Sequence, residues 1–488
     1  MSNLNTKYLI IGTSAAGLTA ALELRKLDPN AQITCLTSES EPPYNKCFLV
    51  DYLAGERVLD TVYLYTPEFL AQQKIEILYN STVTEIRAEI QEIQLISGAL
   101  IAYDKLLIAT GARAWVPPIL GIAELLAQEL ALNFYNLQDT IKLMAKLDTE
   151  LDLVIGTQAG KVLDPLVPVE QTGELLKLAN NIKHVTVIGA GLTGLECADA
   201  LWRRGLKVTV IDQSSQILNQ VLDQDSAQFL QQKIIASGTE LVLGTQVLEV
   251  TALITPKNNL KILENNLKVG ELREFPSNSK IKITLSSQAE IFTDLIILAT
   301  GVQANSIKII GAQLNLIKQQ IQVDQYFATN LPNIWAAGDA ILVRDLVTGE
   351  LRANRTWPDA ILQGRLAARS MFAVKVVSFQ GFKLSKLSIS LPEQPAGSTV
   401  NLVPYSGQLA YYKSHMFNLD LVVCGNLNNI NKNNNNSATG SMKIGAEVNC
   451  ANQASWASYN YNLTEQLQGF ILIGDISQGA KLRRQIGT

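Results

Sequence analysis

Cys47 is the residue whose type and setting point most directly to chemistry. Two prolines precede it, and Asn45 can cap a helix that starts there, which would make Cys47 the second helical residue. A helix N-terminus and the ammonium group of Lys46 both favour the thiolate form of a cysteine. We therefore predict a redox-competent thiol at this position. A buried structural role is the alternative here, and it is our interpretation of the other cysteines, Cys35, Cys197, Cys424 and Cys450.

The small numbers of cysteine and histidine exclude several kinds of site. Five cysteines in 488 residues, with no Cys-x-x-Cys pair, exclude a disulfide framework and an adjacent dithiol, and they argue against a cysteine zinc site. The two histidines, His184 and His415, are too few for a mechanism built on several imidazoles. A structural role is our interpretation of both. We therefore expect no metal, and we expect a reducing, cytoplasmic compartment.

The charge balance of the chain limits its partners. The formal net charge is −4, so there is no basic surplus to drive binding to nucleic acid or to an anionic membrane. No stretch reaches the ~18 uninterrupted apolar residues of a membrane span. The run from Tyr8 to Leu22 superficially resembles a signal peptide, but glycine, serine and threonine interrupt it. We expect neither a nucleic-acid partner nor a membrane partner.

The elements that would position such chemistry begin with a glycine-rich loop near the N-terminus. A predicted strand, Lys7–Ile11, leads into Gly12-Thr13-Ser14-Ala15-Ala16-Gly17 and then into a predicted helix, Leu18–Leu27. This order is typical of the dinucleotide-binding G-x-G-x-x-G loop, with Ser14 in place of the middle glycine. Helix N-terminal N–H groups there bind phosphate. A second predicted strand, Gln32–Leu36, is followed by Glu39 at about the spacing needed to bind a ribose. The alternative is a glycine turn in another kind of α/β unit.

A second loop of the same kind lies in the middle of the chain. The predicted strand Lys183–Ile188 enters Gly189-Ala190-Gly191-Leu192-Thr193-Gly194, which is the complete G-x-G-x-x-G pattern. The next predicted strand, Lys207–Ile211, ends beside Asp212. A carboxylate there accepts hydrogen bonds from a ribose diol and repels a 2′-phosphate. The loop therefore predicts a nicotinamide dinucleotide site that favours NADH over NADPH.

Two dinucleotide sites in one chain suggest one bound flavin and one exchanging nicotinamide. On these loops the chain resembles the FAD-dependent pyridine nucleotide-disulfide oxidoreductase superfamily, which has two dinucleotide-binding domains. Four further segments resemble that superfamily in the same order: 106–113 and 295–302, which contain Ala-Thr-Gly; 333–340, which contains Ala-Ala-Gly-Asp; and 357–364, which begins with Trp-Pro. The resemblance covers residues 7 to about 372.

The resemblance implies an α/β fold of three parts. Two Rossmann-like domains would bind FAD (residues 1–116 and 299–372) and NAD (117–298, inserted in the FAD domain). A C-terminal α+β domain (373–488) would form the interface of a homodimer. Three stretches, 149–173, 256–279 and 426–436, depart from the lengths usual in the superfamily, and we assign them no role.

The resemblance also implies site residues. Cys47 would be the single redox cysteine. Glu196 resembles the glutamate that approaches the flavin–nicotinamide stack, the alternative being a solvated charge on its helix. The residues expected to bind the cofactors FAD and NAD(P)H are Gly12, Ser14, Ala15, Ala16, Gly17, Glu39, Lys46, Val83, Thr110, Gly111, Arg113, Gly189, Gly191, Leu192, Gly194, Asp212, Gly301, Asp339, Trp357 and Ala360.

Two activities follow from the resemblance. In the first, hydride passes from NADH through the flavin to Cys47 and on to a small disulfide such as coenzyme A disulfide, to a persulfide or to oxygen. In the second, a rubredoxin-, ferredoxin- or nitrite-reductase-type flavoprotein passes electrons to a small carrier protein and Cys47 is inert. Pro42-Pro43-Tyr44 resembles the second group. Two departures concern the first: Phe48 replaces the glycine that usually follows the cysteine, and Ala15 replaces the histidine of NADH oxidases. A non-enzymatic, NADH-sensing flavoprotein similar to apoptosis-inducing factor is a third alternative.

Overall fold

The computed structural model describes residues 4–147, 182–253, 280–353, 355–374, 402, 404–409, 411–425, 442–450, 453–461 and 466–486. The stretches 149–173, 256–279 and 426–436 noted in the sequence lie outside these residues. In the described part of the chain, no helix combines the length and the apolar character that crossing a membrane requires.

The described elements alternate between strands and helices over most of the chain. Up to residue 147 they are β1 (Leu4–Ile11), α1 (Ala15–Leu27), β2 (Ile33–Leu36), α2 (Leu49–Leu53), α3 (Pro67–Gln72), β3 (Ile75–Leu78), β4 (Val83–Arg87), β5 (Glu92–Leu95), β6 (Leu100–Ile108), β7 (Ala112–Ala114), α4 (Ile122–Ala127), β8 (Ala131–Asn133) and α5 (Leu137–Leu147). From residue 182 to 374 they are β9 (His184–Ile188), α6 (Leu192–Arg203), β10 (Lys207–Asp212), α7 (Gln224–Ala236), β11 (Glu240–Leu243), β12 (Val247–Ala252), β13 (Ile281–Leu285), β14 (Glu290–Thr293), β15 (Leu295–Leu298), β16 (Val302–Ala304), β17 (Lys308–Ile310), β18 (Leu316–Ile317), β19 (Gln320–Ile321), β20 (Ile334–Ala336), β21 (Val343–Arg344), β22 (Leu351–Arg352) and α8 (Trp357–Ala373).

The C-terminal elements are mostly strands. They are β23 (Tyr411–Met416), β24 (Leu419–Gly425), β25 (Met442–Cys450), β26 (Gln453–Tyr461), β27 (Leu467–Ile473) and α9 (Gly479–Arg483). Short 3-10 turns at Lys46–Phe48, Leu59–Thr61, Ala88–Ile90 and Gly338–Ala340 complete the described elements.

The first glycine loop belongs to an eight-stranded sheet. Its order is β17-β4-β5-β6-β1-β2-β3, and β20 pairs with β6. Strand β1 lies in parallel between β2 and β6, and its residues Leu9 and Ile10 are fully buried. Because both faces of the sheet are covered, this strand has a continuous apolar run. The strands and the helix predicted around the loop are confirmed, although β1 and α1 each begin three residues earlier than predicted.

The second glycine loop belongs to a separate parallel sheet of five strands. Its order is β11-β10-β9-β15-β8, and each neighbouring pair runs in parallel. The loop leaves the carboxyl end of β9, as the first loop leaves the carboxyl end of β1. Ligands of open α/β sheets bind at this end of the strands. The predicted α/β class with two Rossmann-like units is confirmed; the predicted domain boundaries stay predictions.

The C-terminal strands form an antiparallel sheet that packs on the second unit. Its order is β23-β24-β27-β26-β25. Apolar side chains on one face of this sheet, such as Leu421 and Ile471, share a core with Val185 and Leu195 of the second unit. The opposite face has its own apolar core, which includes Phe470. Strand β23 therefore lies against helix α6, which begins in the second glycine loop.

Candidate active site

One large cavity lies between the two glycine loops and the C-terminal sheet. Its volume is about 1360 Å³. Every residue predicted to act in catalysis or cofactor binding lines it, except Gly17 and Gly194. The lining residues among those predicted are Gly12, Ser14, Ala15, Ala16, Glu39, Lys46, Cys47, Val83, Thr110, Gly111, Arg113, Gly189, Gly191, Leu192, Glu196, Asp212, Gly301, Asp339, Trp357 and Ala360.

The two exceptions, Gly17 and Gly194, serve packing. A Cβ added at Gly17 would lie 1.9 Å from the carbonyl oxygen of Gly12, and one at Gly194 would lie 1.9 Å from that of Gly189. No side chain fits such a gap, so each helix can approach its strand closely only with glycine here. This close packing is the role that the third glycine of the G-x-G-x-x-G pattern has.

The first glycines of the two loops make the turn from strand to helix. Gly12 has φ +112° and Gly189 has φ +115°, a region that side chains with a Cβ rarely adopt. Gly191, by contrast, has φ −78°, and no described heavy atom lies within 4 Å of a Cβ added there. The space beside Gly191 is therefore open to a ligand at the N-terminus of α6, where an anion is favoured.

The acidic residue after each second strand lies at the cavity. Oε2 of Glu39 is buried and has no hydrogen-bond partner among the described residues. Asp212 ends β10, and its two carboxylate oxygens accept the backbone N–H groups of Ala190 and Ser214, both at 2.7 Å. A buried carboxylate oxygen without a donor is unfavourable. A ribose hydroxyl would supply that donor, so Glu39 fits the predicted FAD.

The cavity is also lined by charged and aromatic groups. Asp339 lies in the 3-10 turn that follows β20, and burial raises the pKa of its carboxyl group while Lys46 and Arg355 lower it. The ammonium Nζ of Lys46 lies 3.8 Å from the centre of the Tyr135 ring. Trp357 and Ala360 stand in the first turn of α8. This combination of flat side chains and mixed charges fits a large planar heterocycle.

Some cavity residues were not predicted. Tyr135 follows the carboxyl end of β8, and this position at a strand end could have predicted that it lines the cavity. Asn305 holds the Ala-Thr-Gly segment, since its Nδ2 donates to the carbonyl oxygen of Thr110 at 2.9 Å. Tyr412 reaches the cavity from the C-terminal strand β23, and nothing in the local sequence indicates this.

The predicted cap before Cys47 is confirmed. Residues Lys46–Phe48 form a 3-10 turn, and Oδ1 of Asn45 accepts the N–H of Cys47 at 3.0 Å. The side chain of Cys47 is exposed to the cavity, whereas those of Cys35, Cys197 and Cys424 are buried. Of the cysteines whose side chains the structure describes, Cys47 is therefore the one that a small molecule in the cavity can reach.

The prediction that neighbouring protein groups favour the thiolate form of Cys47 is wrong. Reduced solvation within the cavity and, after it, the carboxylates of Glu196 and Asp51 raise the pKa of the Cys47 thiol to about 11, although the backbone N–H of Cys47 lowers it. Lys46 is directed at Tyr135 and does not compensate. Asp51 lies only four residues after Cys47, whereas Glu196 comes from a helix far along the chain. Burial and these two negative groups together outweigh the helix N-terminus.

Glu196 is not a solvated charge on its helix. It stands on α6, lines the cavity and is partly buried. The pKa of Glu196 is raised to about 7, because burial and the charges of Asp199 and Asp51 raise it more than the hydrogen bond from Ser414 lowers it. The donor is Oγ of Ser414 on strand β23, 2.5 Å from Oε1 of Glu196. Glu196 can therefore take up or release a proton close to neutral pH.

The histidines have the structural settings expected. His184 begins β9, and its Nε2 lies 2.8 Å from Oγ1 of Thr209. His415 pairs with Asp420 on the neighbouring strand, Nδ1 to Oδ1, at 3.0 Å. Neither lines the cavity. Among the residues with described positions, no group of three or more histidine, cysteine or acidic side chains could hold a metal ion.

Known proteins resemble the chain over most of its length. It is 26% identical over 406 residues to NADH-dependent phenylglyoxylate dehydrogenase subunit epsilon of Aromatoleum evansii, which covers 81% of the chain and 82% of that protein. It is 27% identical over 377 residues to NADH oxidase of Methanocaldococcus jannaschii, covering 76% and 70%. The solved NAD-dependent persulfide reductase from A. fulgidus superposes with a TM-score of 0.74 at 19% identity, covering 99% of this chain and 77% of that one.

The model of one protein family matches residues 6–364, a range that contains both glycine loops, Cys47 and Asp339. That family is described as pyridine nucleotide-disulphide oxidoreductase. The match spans more than two thirds of the chain and agrees with the cavity between two dinucleotide loops. The chain belongs to the pyridine nucleotide-disulphide oxidoreductase family and is an FAD-dependent enzyme that uses NADH or NADPH.

Proposed function

We propose that the chain is an NADH-dependent oxidoreductase that delivers two electrons, by way of Cys47, to a small acceptor. The acceptor is a low-molecular-weight disulfide of the coenzyme A disulfide kind, a persulfide or oxygen. The observation that carries this proposal is the exposed Cys47 side chain, which shares one cavity with Glu196 and with both glycine loops. A thiol mechanism requires a sulfur atom that is open to the cofactor site, and Cys47 meets this requirement.

The chain's own residues divide the binding work between the two loops. The N-terminus of α1 and the unpaired Glu39 Oε2 hold the diphosphate and a ribose of FAD, and Asp339 and Lys46 bind nearer the ring. The N-terminus of α6 and Asp212 hold NADH, and the Asp212 carboxylate disfavours the 2′-phosphate of NADPH. When bound, FAD supplies the exchange of two electrons between nicotinamide and acceptor.

Cys47 and Glu196 have distinct roles in the thiol chemistry. With a small disulfide R–S–S–R as acceptor, the Cys47 thiolate attacks one sulfur atom, the S–S bond breaks and the other half leaves as RS⁻, which forms the mixed disulfide Cys47–S–S–R. Two electrons from NADH break the S–S bond, which leaves negative charge on both sulfur atoms, and a proton converts the small thiolate to RSH. Glu196, with a pKa of about 7, is a group in the cavity that can hold that proton.

A second candidate function is electron transfer to a protein partner, with Cys47 inert. The raised pKa of the Cys47 thiol favours it, because the thiolate is the reactive form. The name of one relative, a subunit of an NADH-dependent dehydrogenase, also supports a protein partner. Under this proposal Lys46, Asp339 and both loops keep their cofactor roles. A homodimer remains part of both proposals.

The two candidates are separated by replacing Cys47 with serine in the FAD-loaded full chain. Under the thiol mechanism, NADH-dependent reduction of coenzyme A disulfide falls by at least about 100-fold, because a serine hydroxyl cannot form the mixed disulfide. NADH reduction of an artificial dye is unchanged, because hydride transfer does not need the sulfur. The buried Cys424 provides the control variant Cys424→Ser, which should keep both activities if it folds. Equal turnover of the disulfide by Cys47→Ser and wild type would exclude the thiol mechanism.

An anaerobic titration adds an independent readout. Consumption of two equivalents of NADH per FAD indicates a second redox centre, and one equivalent indicates the flavin alone. The same titration with NADPH tests Asp212: flavin reduction faster with NADPH than with NADH would contradict its proposed role.

A further inference from the structure

A residue of the C-terminal sheet, behind the wall of the cavity, donates directly to Glu196. Ser414 is 8% exposed and lies in the middle of strand β23. Its Oγ donates to Oε1 of Glu196 at 2.5 Å, across 218 residues of sequence. Tyr412, two residues earlier on the same strand, lines the cavity. The C-terminal sheet thus contributes to the site within the same chain.

The groups around Glu196 make this single donor important. Cys47 and Asp51 approach from the segment before and within α2, and Cys197 and Asp199 lie on the same helix as Glu196. Asp199 is itself paired with Arg203 at 2.8 Å. Among these neighbours, the Ser414 hydroxyl is the group that stabilises the Glu196 carboxylate, while burial and the neighbouring carboxylates disfavour it.

We infer that Ser414 is a positioning residue for the thiol chemistry: its hydroxyl holds Glu196 as a carboxylate beside Cys47 and thereby limits when Cys47 can ionise. The inference rests on the proposed function, since it gives Glu196 and Cys47 a shared role. Negative charge on Glu196 repels negative charge on Cys47. Ionisation of one group therefore disfavours ionisation of the other, and the pair tends to carry one negative charge in total. The C-terminal sheet, through the Ser414 hydroxyl, favours the carboxylate form of Glu196 against the burial that disfavours it.

The test measures Cys47 ionisation by its reaction with iodoacetamide, which requires the thiolate. The FAD-loaded full chain is labelled at pH 6 and at pH 8, and the Cys47 peptide is quantified by mass spectrometry. With a pKa of about 7, Glu196 is about one-tenth protonated at pH 8. Loss of the hydrogen bond in Ser414→Ala should shift the ionisation equilibrium of Glu196 roughly tenfold towards the protonated form. The protonated fraction of Glu196 at pH 8 then becomes about one half. If the Glu196 carboxylate suppresses the Cys47 thiolate roughly tenfold, Ser414→Ala reacts about threefold faster than wild type at pH 8.

At pH 6 Glu196 is mostly protonated in both proteins, so their rates should agree. In the Glu196→Gln variant, Cys47 should be labelled about fivefold faster than in wild type at pH 8. Adding Ser414→Ala to this variant should not change the labelling rate. Ser458 provides a matched control, because its buried hydroxyl donates to the Asp223 carboxylate at 2.8 Å, also from the C-terminal sheet but away from the cavity. Ser458→Ala should leave Cys47 labelling unchanged at both pH values.

Two results would overturn the inference. One is equal labelling of Ser414→Ala and wild type at pH 8, and the other is an equal acceleration at pH 6 and pH 8, which would indicate a looser structure. If Ser414→Ala does not fold, Ser414→Val and Ser414→Thr have nearly the same shape and differ in the hydroxyl; Val should show the threefold increase and Thr should not. Labelling reports ionisation alone, so it distinguishes failure of this inference from failure of the disulfide reduction tested with Cys47→Ser.

Discussion

Helix α8 can support the flavin site only because Gly364 has no side chain. A Cβ added at this residue would lie 2.1 Å from the carbonyl oxygen of Ala16 and 2.8 Å from its carbonyl carbon. These atoms belong to the backbone of α1, so no rotation of a side chain can make room. Ordinary contact begins near 3.4 Å, so Gly364→Ala must separate α1 and α8 by about 1 Å.

The expected cost follows from that separation. Overpacking of a core by a methyl group costs about 1–3 kcal/mol, and a clash with backbone alone belongs at or above the upper end. We therefore expect Gly364→Ala to lose about 3 kcal/mol, which lowers the Tm of an unfolding unit of about 150–250 residues by roughly 6–12 °C. Because the N-termini of both helices line the cavity, the variant should also be purified with less FAD.

Gly479 in helix α9 provides the matched control. A Cβ added there would have its nearest neighbour, Cγ1 of Val422, at 3.5 Å, which is ordinary contact. Gly479→Ala should leave Tm unchanged or raise it slightly, because alanine reduces the entropy of the unfolded chain. Both variants are compared with wild type by thermal denaturation and by the ratio of flavin to protein absorbance. A Gly364→Ala protein with the Tm and FAD content of wild type would refute the packing argument.

Two further predictions concern ionisable groups that folding removes partly or fully from water. Folding raises the pKa of Glu196 from 4.5 to about 7, so the folded chain binds this proton more tightly and loses up to about 3 kcal/mol of stability as pH rises from 4.5 to 7. Urea unfolding at pH 5 and pH 8 should show this loss in wild type and not in Glu196→Gln; parallel behaviour of the two would contradict the assignment. The buried Lys105 donates to the carbonyl oxygens of Met371 and Val374 at the end of α8, both at 2.5 Å. Lys105→Met should lose about 2–4 kcal/mol at pH 7 by the same measurement, and an unchanged free energy of unfolding would show that these bonds contribute nothing net.

Much of the site could be predicted because its signals are local in the chain. Each glycine loop follows directly on its strand and opens its helix, so Gly12, Gly189 and the acids Glu39 and Asp212 are recognisable within about 30 residues of sequence. The Asn45 cap likewise needs two residues of context. In each case one supersecondary unit contains all the residues whose spacing matters, and the backbone geometry of that unit leaves little choice.

The properties of Cys47 and Glu196 depended on groups that only the tertiary structure brings together. The sequence around Cys47 contains a cap and a lysine that favour the thiolate, but Lys46 lies over Tyr135, and Glu196 approaches from a helix far along the chain. Ser414 is further away still, on a sheet with no sequence signal for the cavity.

The amino-acid sequence by itself determined the family, the two dinucleotide loops and the position of the candidate thiol, Cys47. The tertiary structure decided which charges surround that thiol and which hydroxyl holds Glu196. The physical reason is that backbone geometry follows from neighbouring residues, whereas a pKa follows from burial and from every charge within several ångströms, wherever in the chain it originates.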